Sequence, residues 1–158
     1  MMSFWGTHTG NLMMTMLISM VPVLELRGAI PAGVAAGLSV KEALVVSIIG
    51  NLLPVPIIIL FVRKVFDWMR KKSERLDFLV CRFEEKAKKQ SVMIDKYEWF
   101  GLVLLVAVPL PGTGAWTGAL VAAMLNMRLK RALPAVFIGV VIAGIVVSYI
   151  TYGASMLI

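Results

Sequence analysis

Four stretches of this chain contain no Lys, Arg, Asp or Glu: residues 1–24, 43–62, 99–127 and 132–158. A helix crosses the ~30 Å hydrocarbon core of a bilayer with about 20 apolar residues. Residues 43–62 and 132–158 meet that length and read as full transmembrane helices. Charge is concentrated in 63–98 and 128–131. Apolar residues make up 59% of the chain, against about 45–50% in soluble domains. The solvent this sequence expects is lipid.

The net charge of +7 could suggest a nucleic-acid partner. The basic residues instead flank the apolar runs, as the positive-inside rule requires, so no nucleic acid is expected. Cys81 is the single cysteine, which excludes an intrachain disulfide, and His8 is the single histidine. No zinc site, other metal site or cofactor is expected. The apolar stretch 11–24 lacks a basic leader and is not read as a cleaved signal peptide. There is no HExxH, GxSxG or P-loop, and His8 stands isolated, so the chain does not read as an enzyme.

The other two apolar regions are interrupted. In 99–127, Pro109-Leu110-Pro111-Gly112-Thr113-Gly114 cannot continue a helix without losing backbone hydrogen bonds. In the first region, Pro22 and Pro31 bracket Glu25-Leu26-Arg27-Gly28, and a second apolar piece, 32–40, follows. Each region reads as a helix–break–helix hairpin that enters the membrane and turns back. Non-helical backbone at that depth is tolerated only when buried in protein or lining a wet cavity.

The halves repeat. A shift of 87 places Val21-Pro22 on Val108-Pro109, Val34-Ala35-Ala36 on Val121-Ala122-Ala123, and Leu17 and Leu38 on Leu104 and Leu125. After a two-residue insertion, Ala43-Leu44 meets Ala132-Leu133 and Ile49-Gly50 meets Ile138-Gly139. The expected fold is all-α integral membrane in one domain, 1–158. Repeat 1 (10–66) and repeat 2 (99–158) are inverted in topology, each a re-entrant hairpin followed by a transmembrane helix. A cytoplasmic linker (67–98) joins them. Leu76, Val80, Phe83, Ala87, Ile94 and Tyr97 make that linker an amphipathic helix, with Glu84–Lys88 and Glu85–Lys89 as i,i+4 pairs. Residues 63–98 hold 11 basic and 7 acidic side chains and belong in the cytoplasm with 128–131, leaving both termini outside. Inverted repeats with paired broken helices are the logic of secondary transporters, whose substrate site lies near the midplane.

Glu25 and Arg27 are the charged residues inside a predicted intramembrane region. Such residues are costly in lipid and usually face a cavity with a function. Glu25 is the candidate proton carrier. Arg27 offers a planar fork of donors suited to phosphate or carboxylate. A purely structural Glu25–Arg27 pair at the hairpin tip is the plainer alternative. At the second break, glycines free the backbone, and a helix starting near Ala115 would aim its positive end there, an anion site. Thr113, Thr117 and Trp116 add hydroxyls and an amphipathic ring; a tight turn without a ligand is the alternative. Asn51, just before Pro54 and Pro56, either caps a kink or faces the cavity. Gly33–Gly37 and Gly114–Gly118 are both GxxxG pairs that let helices approach. Trp5, Trp68, Trp99 and Tyr97 read as interfacial belt residues.

Glu25-Leu26-Arg27-Gly28-Ala29-Ile30-Pro31 and Pro109 through Gly118 resemble the paired signatures of the prokaryotic small multi-drug export protein family. That family is distantly similar to the DedA/VTT membrane proteins, which share two opposed re-entrant hairpins, each followed by a spanning helix. The resemblance implies movement of undecaprenyl phosphate or related lipids coupled to ion gradients. It gives Glu25 and Arg27 the roles of the acidic and basic residues of the first hairpin. Candidate substrate-binding or proton-coupling residues are therefore Glu25, Arg27, Gly28, Pro31, Asn51, Pro109, Pro111, Gly112, Thr113, Gly114, Trp116, Thr117 and Gly118. The expected function is a proton-coupled transporter or lipid translocase in the inner (plasma) membrane, for an amphiphile with an anionic head. A cationic-drug exporter and a non-transporting scaffold are the alternatives. Membrane lipids, a small amphiphilic substrate and a second copy in a homodimer are the expected partners.

The topology is directly testable. A single cysteine introduced at Lys86 should resist impermeant thiol reagents in intact cells and react once the membrane is opened. Labelling from outside would overturn the assignment of 63–98 to the cytoplasm.

Overall fold

The computed structural model describes residues 6–72, 78, 81–82, 85, 98–108 and 113–155. These residues form seven helices: α1 (His8–Met20), α2 (Glu25–Ala35), α3 (Val40–Leu52), α4 (Pro54–Lys72), α5 (Glu98–Ala107), α6 (Ala115–Met124) and α7 (Leu129–Ser155). α3 and α4 run on almost without a break, and Val40–Trp68 is long and apolar enough to cross a membrane. Leu129–Gly153 is the second such helix. The other four are 10 to 13 residues long. At 1.5 Å per residue they reach only about 15–20 Å, short of a ~30 Å hydrocarbon core.

Burial explains why lipid suits these helices. The buried residues of α1 are Gly10, Thr15 and Ser19, while Met13 and Leu17 are exposed. Those of α3 are Ala43, Ser47, Gly50 and Asn51, while Val45 and Ile49 are exposed. Both are inside out relative to a soluble helix, whose apolar stripe faces the core. α7 buries Ala132, Val136, Val140, Ala143 and Val147 at steps of three and four, with Ala135 beside them. Its opposite face presents Phe137, Ile142, Ile145 and Tyr149. A helix apolar on every side belongs in a large core or a membrane.

The order helix, break, helix, turn, long helix occurs twice. In the first half, α1 packs on α2 and α3, and α2 packs on α3. In the second, α5 packs on α6 and α7, and α6 on α7. Cross-half contacts join α3 and α2 to α7, and α4 to α6.

The two turns end their helices identically. Gly37 (φ 97°) follows α2, with Leu38 N–H donating to Gly33 C=O and Gly37 N–H to Val34 C=O. Asn126 (φ 53°) follows α6, with Met127 N–H donating to Ala122 C=O and Asn126 N–H to Ala123 C=O. This is the paired-bond helix stop that calls for a left-handed residue, Gly first and Asn next.

These bonds correct the register read from sequence. Val34 corresponds to Ala123 and Leu38 to Met127, an offset of 89 rather than 87 over this stretch. The two-residue insertion therefore precedes α6 and lies in the break. The close approaches agree. A Cβ on Gly50 would run into Ser19 and into Met16 C=O. One on Gly139 would meet Val106 at 2.6 Å and Val103 C=O at 2.9 Å. So α1 and α5 correspond at 87, and the helices after the break at 89.

Three further readings need amendment. Glu25–Gly28 is not part of the first break, which covers 21–24; it is the first turn of α2, and Pro31 lies inside that helix. Pro31 is exposed and costs the carbonyl of Arg27 its helical donor, a loss that membrane helices tolerate. His8 is not isolated: its Nε2 lies 3.1 Å from Glu42 Oε1. Glu42 also closes a capping box with Ser39, starting α3. In the GxxxG pairs, Gly33 lets Thr15 and Ala43 approach and Gly118 packs on Val106, whereas Gly37 serves the turn. Trp99 packs edge-on to Phe100 at 5.1 Å, and Trp68 is exposed beneath Lys72. Trp5, Tyr97 and most of the linker helix lie outside the described residues.

Stability should report these contacts. Gly50→Ala and Gly139→Ala each force a methyl against a neighbouring backbone carbonyl and should cost about 1–3 kcal/mol. Gly101→Ala, which meets open space, should cost nothing measurable. Thermal unfolding in detergent micelles makes the comparison; equal melting temperatures for all three variants would contradict the packing of α1 on α3 and of α5 on α7.

Candidate functional site

The two breaks meet. Glu25 opens α2 with φ 47°, in the left-handed region that a non-glycine residue seldom occupies. That twist turns its carboxylate away from its own helix and towards the start of α6. Glu25 is 6% exposed, and its Oε1 accepts the Trp116 N–H at 3.2 Å. Trp116 is the second residue of α6, where an N-cap side chain would bond. The natural N-cap, Gly114, supplies no side chain for the purpose. Glu25 therefore caps α6 from the other half of the chain, with its negative charge at the positive end of the helix.

Gly114 has φ 148°, and a Cβ there would overlap the Glu25 carboxylate. At the offset of 89, Gly114 is the counterpart of Glu25 itself. The second half surrenders the side chain, and the first half fills the space.

Arg27 stands two residues further on, about half a turn round α2. Its Nη2 donates to Val108 C=O at 3.2 Å and to Thr113 Oγ1 at 3.1 Å. Thr113 in turn donates to Val108 C=O at 2.8 Å. The indole Nε1–H of Trp116 crosses back to Met20 C=O, the last residue of α1, at 3.1 Å. Four hydrogen bonds thus cross between the hairpin tips, two donated by Arg27 and two by Trp116. Arg27 is half-buried, so its guanidinium stands at the edge of this seam.

Of the sequence candidates, Glu25, Arg27, Thr113, Gly114 and Trp116 come together. Thr117 is half-buried on the next position of α6. Gly28 faces Leu24, Pro31 is exposed, and Gly118 packs against Val106, so these three serve the helices rather than the seam. Asn51 is fully buried in α3. Pro109, Pro111 and Gly112 lie outside the described residues. The anion site expected at the start of α6 is filled by a carboxylate of the chain itself. Sequence reasoning missed the seam's main-chain acceptors at Met20 and Val108, since a carbonyl leaves no mark in a sequence. It also passed over the buried hydroxyls of Thr15, Ser19 and Ser47. Their small size in an otherwise apolar run was the available signal. Among the described residues no group of His, Cys, Asp and Glu could hold a metal ion.

A double-mutant cycle tests the shared space. Gly114→Ala should cost about 1–3 kcal/mol in the native background. The loss should shrink in a Glu25→Ala background, where the carboxylate it strikes is gone. Strictly additive losses would separate Gly114 from Glu25.

One family model matches the chain, over residues 25–146, more than three-quarters of its length, and its description reads "Putative small multi-drug export protein". The chain belongs to that family. The match begins at Glu25, the first residue of α2, and runs through the second break into α7. No curated protein and no solved structure matches.

Proposed function

Starting from membership of an export family, whose description points to transport rather than catalysis, we propose that this membrane protein is a proton-coupled secondary transporter of amphiphilic molecules. The observation that carries the reading is the Glu25 carboxylate bonded to the start of α6 across the seam. The two hairpins are taken to enter from opposite membrane faces, the inverted-repeat arrangement of secondary transporters. The basic linker then faces the cytoplasm of a cell limited by this inner (plasma) membrane, and two copies complete the wall around the path.

While ionised, Glu25 satisfies the first amides of α6 and holds the tips together. A charge-assisted bond at a helix start is about twice as strong as a neutral one. Protonation removes the charge but leaves the shape, so the seam loosens. The freed amides and the Arg27 fork are then all donors, and the anionic head of an amphiphile satisfies them. Loss of the proton restores the carboxylate as a competitor and expels the head. The carboxylate and the anionic head thus compete for one set of donors, so proton and anion are taken up and released together.

The family description favours a second reading, export of cationic drugs. There a cation and the α6 amides compete for the Glu25 carboxylate, and Arg27 only shapes the seam. A scaffold that does not transport would use the same four bonds to lock the tips permanently.

Proteoliposome flux separates the readings. Glu25→Gln should keep binding and abolish pH-dependent flux. Arg27→Lys keeps charge but loses the fork, and should weaken a phosphate-headed amphiphile by about 1–3 kcal/mol. A quaternary ammonium probe that needs Glu25 and ignores Arg27→Lys selects the cationic reading. Wild-type flux of both probes in both variants, at unchanged melting temperature, removes these residues from the mechanism.

A further inference from the structure

The repeat supplies its own control for a second site. Thr15 and Ser19 in α1 and Ser47 and Asn51 in α3 are all 0% exposed. α1 and α3 pack together, and Gly50 lies directly on Ser19 and Met16 C=O. At the offsets fixed above, the four counterparts in the second half are Leu102, Val106, Val136 and Val140. These are 3%, 1%, 0% and 0% exposed. Aliphatic residues therefore fill the same positions of the same packing. The fold does not require polar atoms there, yet the first half carries four polar side chains.

Two of the four are also unmatched. Thr15 and Ser19 donate to Asn11 C=O and Met16 C=O within their own helix. Ser47 Oγ and both Asn51 Oδ1 and Nδ2 are buried with no protein partner. A buried polar group left so costs about 1–3 kcal/mol, and Asn51 has two such atoms. Pro54 and Pro56 have no N–H to return to the carbonyls of Gly50 and Leu52, which adds oxygen acceptors beside Asn51.

The sign of the missing partner follows from the surroundings. α1 ends at Met20 with no basic residue in its last turn, so its negative end, bonded by the neutral Trp116 indole, carries no cation beside Ser19 and Gly50. Between α1 and α3 the hydroxyls of Thr15, Ser19 and Ser47 and the amide oxygen of Asn51 are all oxygen acceptors, and none of the four residues is a carboxylate. Divalent ions need acidic ligands, whereas neutral hydroxyl, amide and main-chain oxygens suit a single positive charge. Antiparallel packing with Gly33 against Ala43 puts Asn51 and Glu25 each eight residues further on, about 12 Å along their helices and hence level.

We propose that Ser19, Ser47 and Asn51, with Thr15 lining the approach two helical turns away from Asn51, form a binding site for a dehydrated monovalent metal cation of the size of Na⁺, between α1 and α3 at the level of the hairpin tip. Asn51 offers Oδ1 to the ion and Nδ2 to a freed carbonyl. The site stands independently of proton transfer at Glu25, since its ligands are neutral and lie in one half of the chain.

Thermal unfolding and calorimetric titration of the purified full chain in micelles test it, with NaCl, KCl and choline chloride at constant ionic strength. NaCl should raise the melting temperature saturably, and choline should not. Asn51→Val installs the residue of the second half. It should unfold in choline at or above the wild-type temperature and weaken Na⁺ binding about tenfold or more. If that variant does not fold, Ser47→Ala carries the test and should also weaken the Na⁺ response. Equal responses to the three salts, or wild-type Na⁺ affinity in the folded variant, would overturn the site. Lost flux with intact Na⁺ binding would instead count against the transport reading alone.

Discussion

A carboxylate at the start of a helix from the opposite half of the chain is the bond on which this structure turns. In water, the leading amides of α6 would be solvated at little cost. In a bilayer they would have no such partner, and each unsatisfied group costs several kcal/mol. Glu25 provides the acceptor, and Gly114 provides the space. The left-handed backbone at Glu25 aims the one, and the bare Cα of Gly114 admits the other. Once that bond forms, Trp116 reaches Met20 and Arg27 reaches Val108 and Thr113. The relative placement of the halves then follows from the tips inward.

The packing behind the tips uses little side-chain volume. α6 buries Ala115, Gly118, Ala119, Ala122 and Ala123, and α3 buries Ala43, Ser47, Gly50 and Asn51. With lipid tails as apolar as leucine, there is no hydrophobic gain in turning large residues inward. Close backbone approach and interhelical hydrogen bonds hold membrane helices together instead. This is why α1 and α3 look inverted beside soluble helices. It is also why polar residues in α1 and α3 stand out against the aliphatic residues of α5 and α7.

The charge-free runs made the two spanning helices legible, because length and apolarity alone select them. The second break was legible from its prolines and glycines, and Glu25 and Arg27 from their cost in lipid. The first break was placed too late. Pro31 reads as a helix stop by its missing N–H, but a proline within α2 leaves the helix intact. The insertion was misplaced because alanine and valine match at several registers, whereas hydrogen bonds at Gly37 and Asn126 admit one. The trans-cap was not legible at all. It joins positions 91 apart through a space defined by what Gly114 lacks. The capping box of Ser39 and Glu42 could have been read, since its spacing is local.

The separation of Glu25 from Trp116 also has a meaning in time. A ribosome adds about 5–20 residues per second, so the 91 residues between the two partners take roughly 5–20 s to make. Throughout that interval α1 and α2 exist without the helix that Glu25 caps. Neither is long enough to anchor itself across a bilayer, whereas Val40–Trp68, which follows them, is. The nascent chain therefore has to shelter an acidic hairpin, beside the insertion machinery or at the water boundary, until its second half arrives. Assembly is a timed event, closed by four late hydrogen bonds.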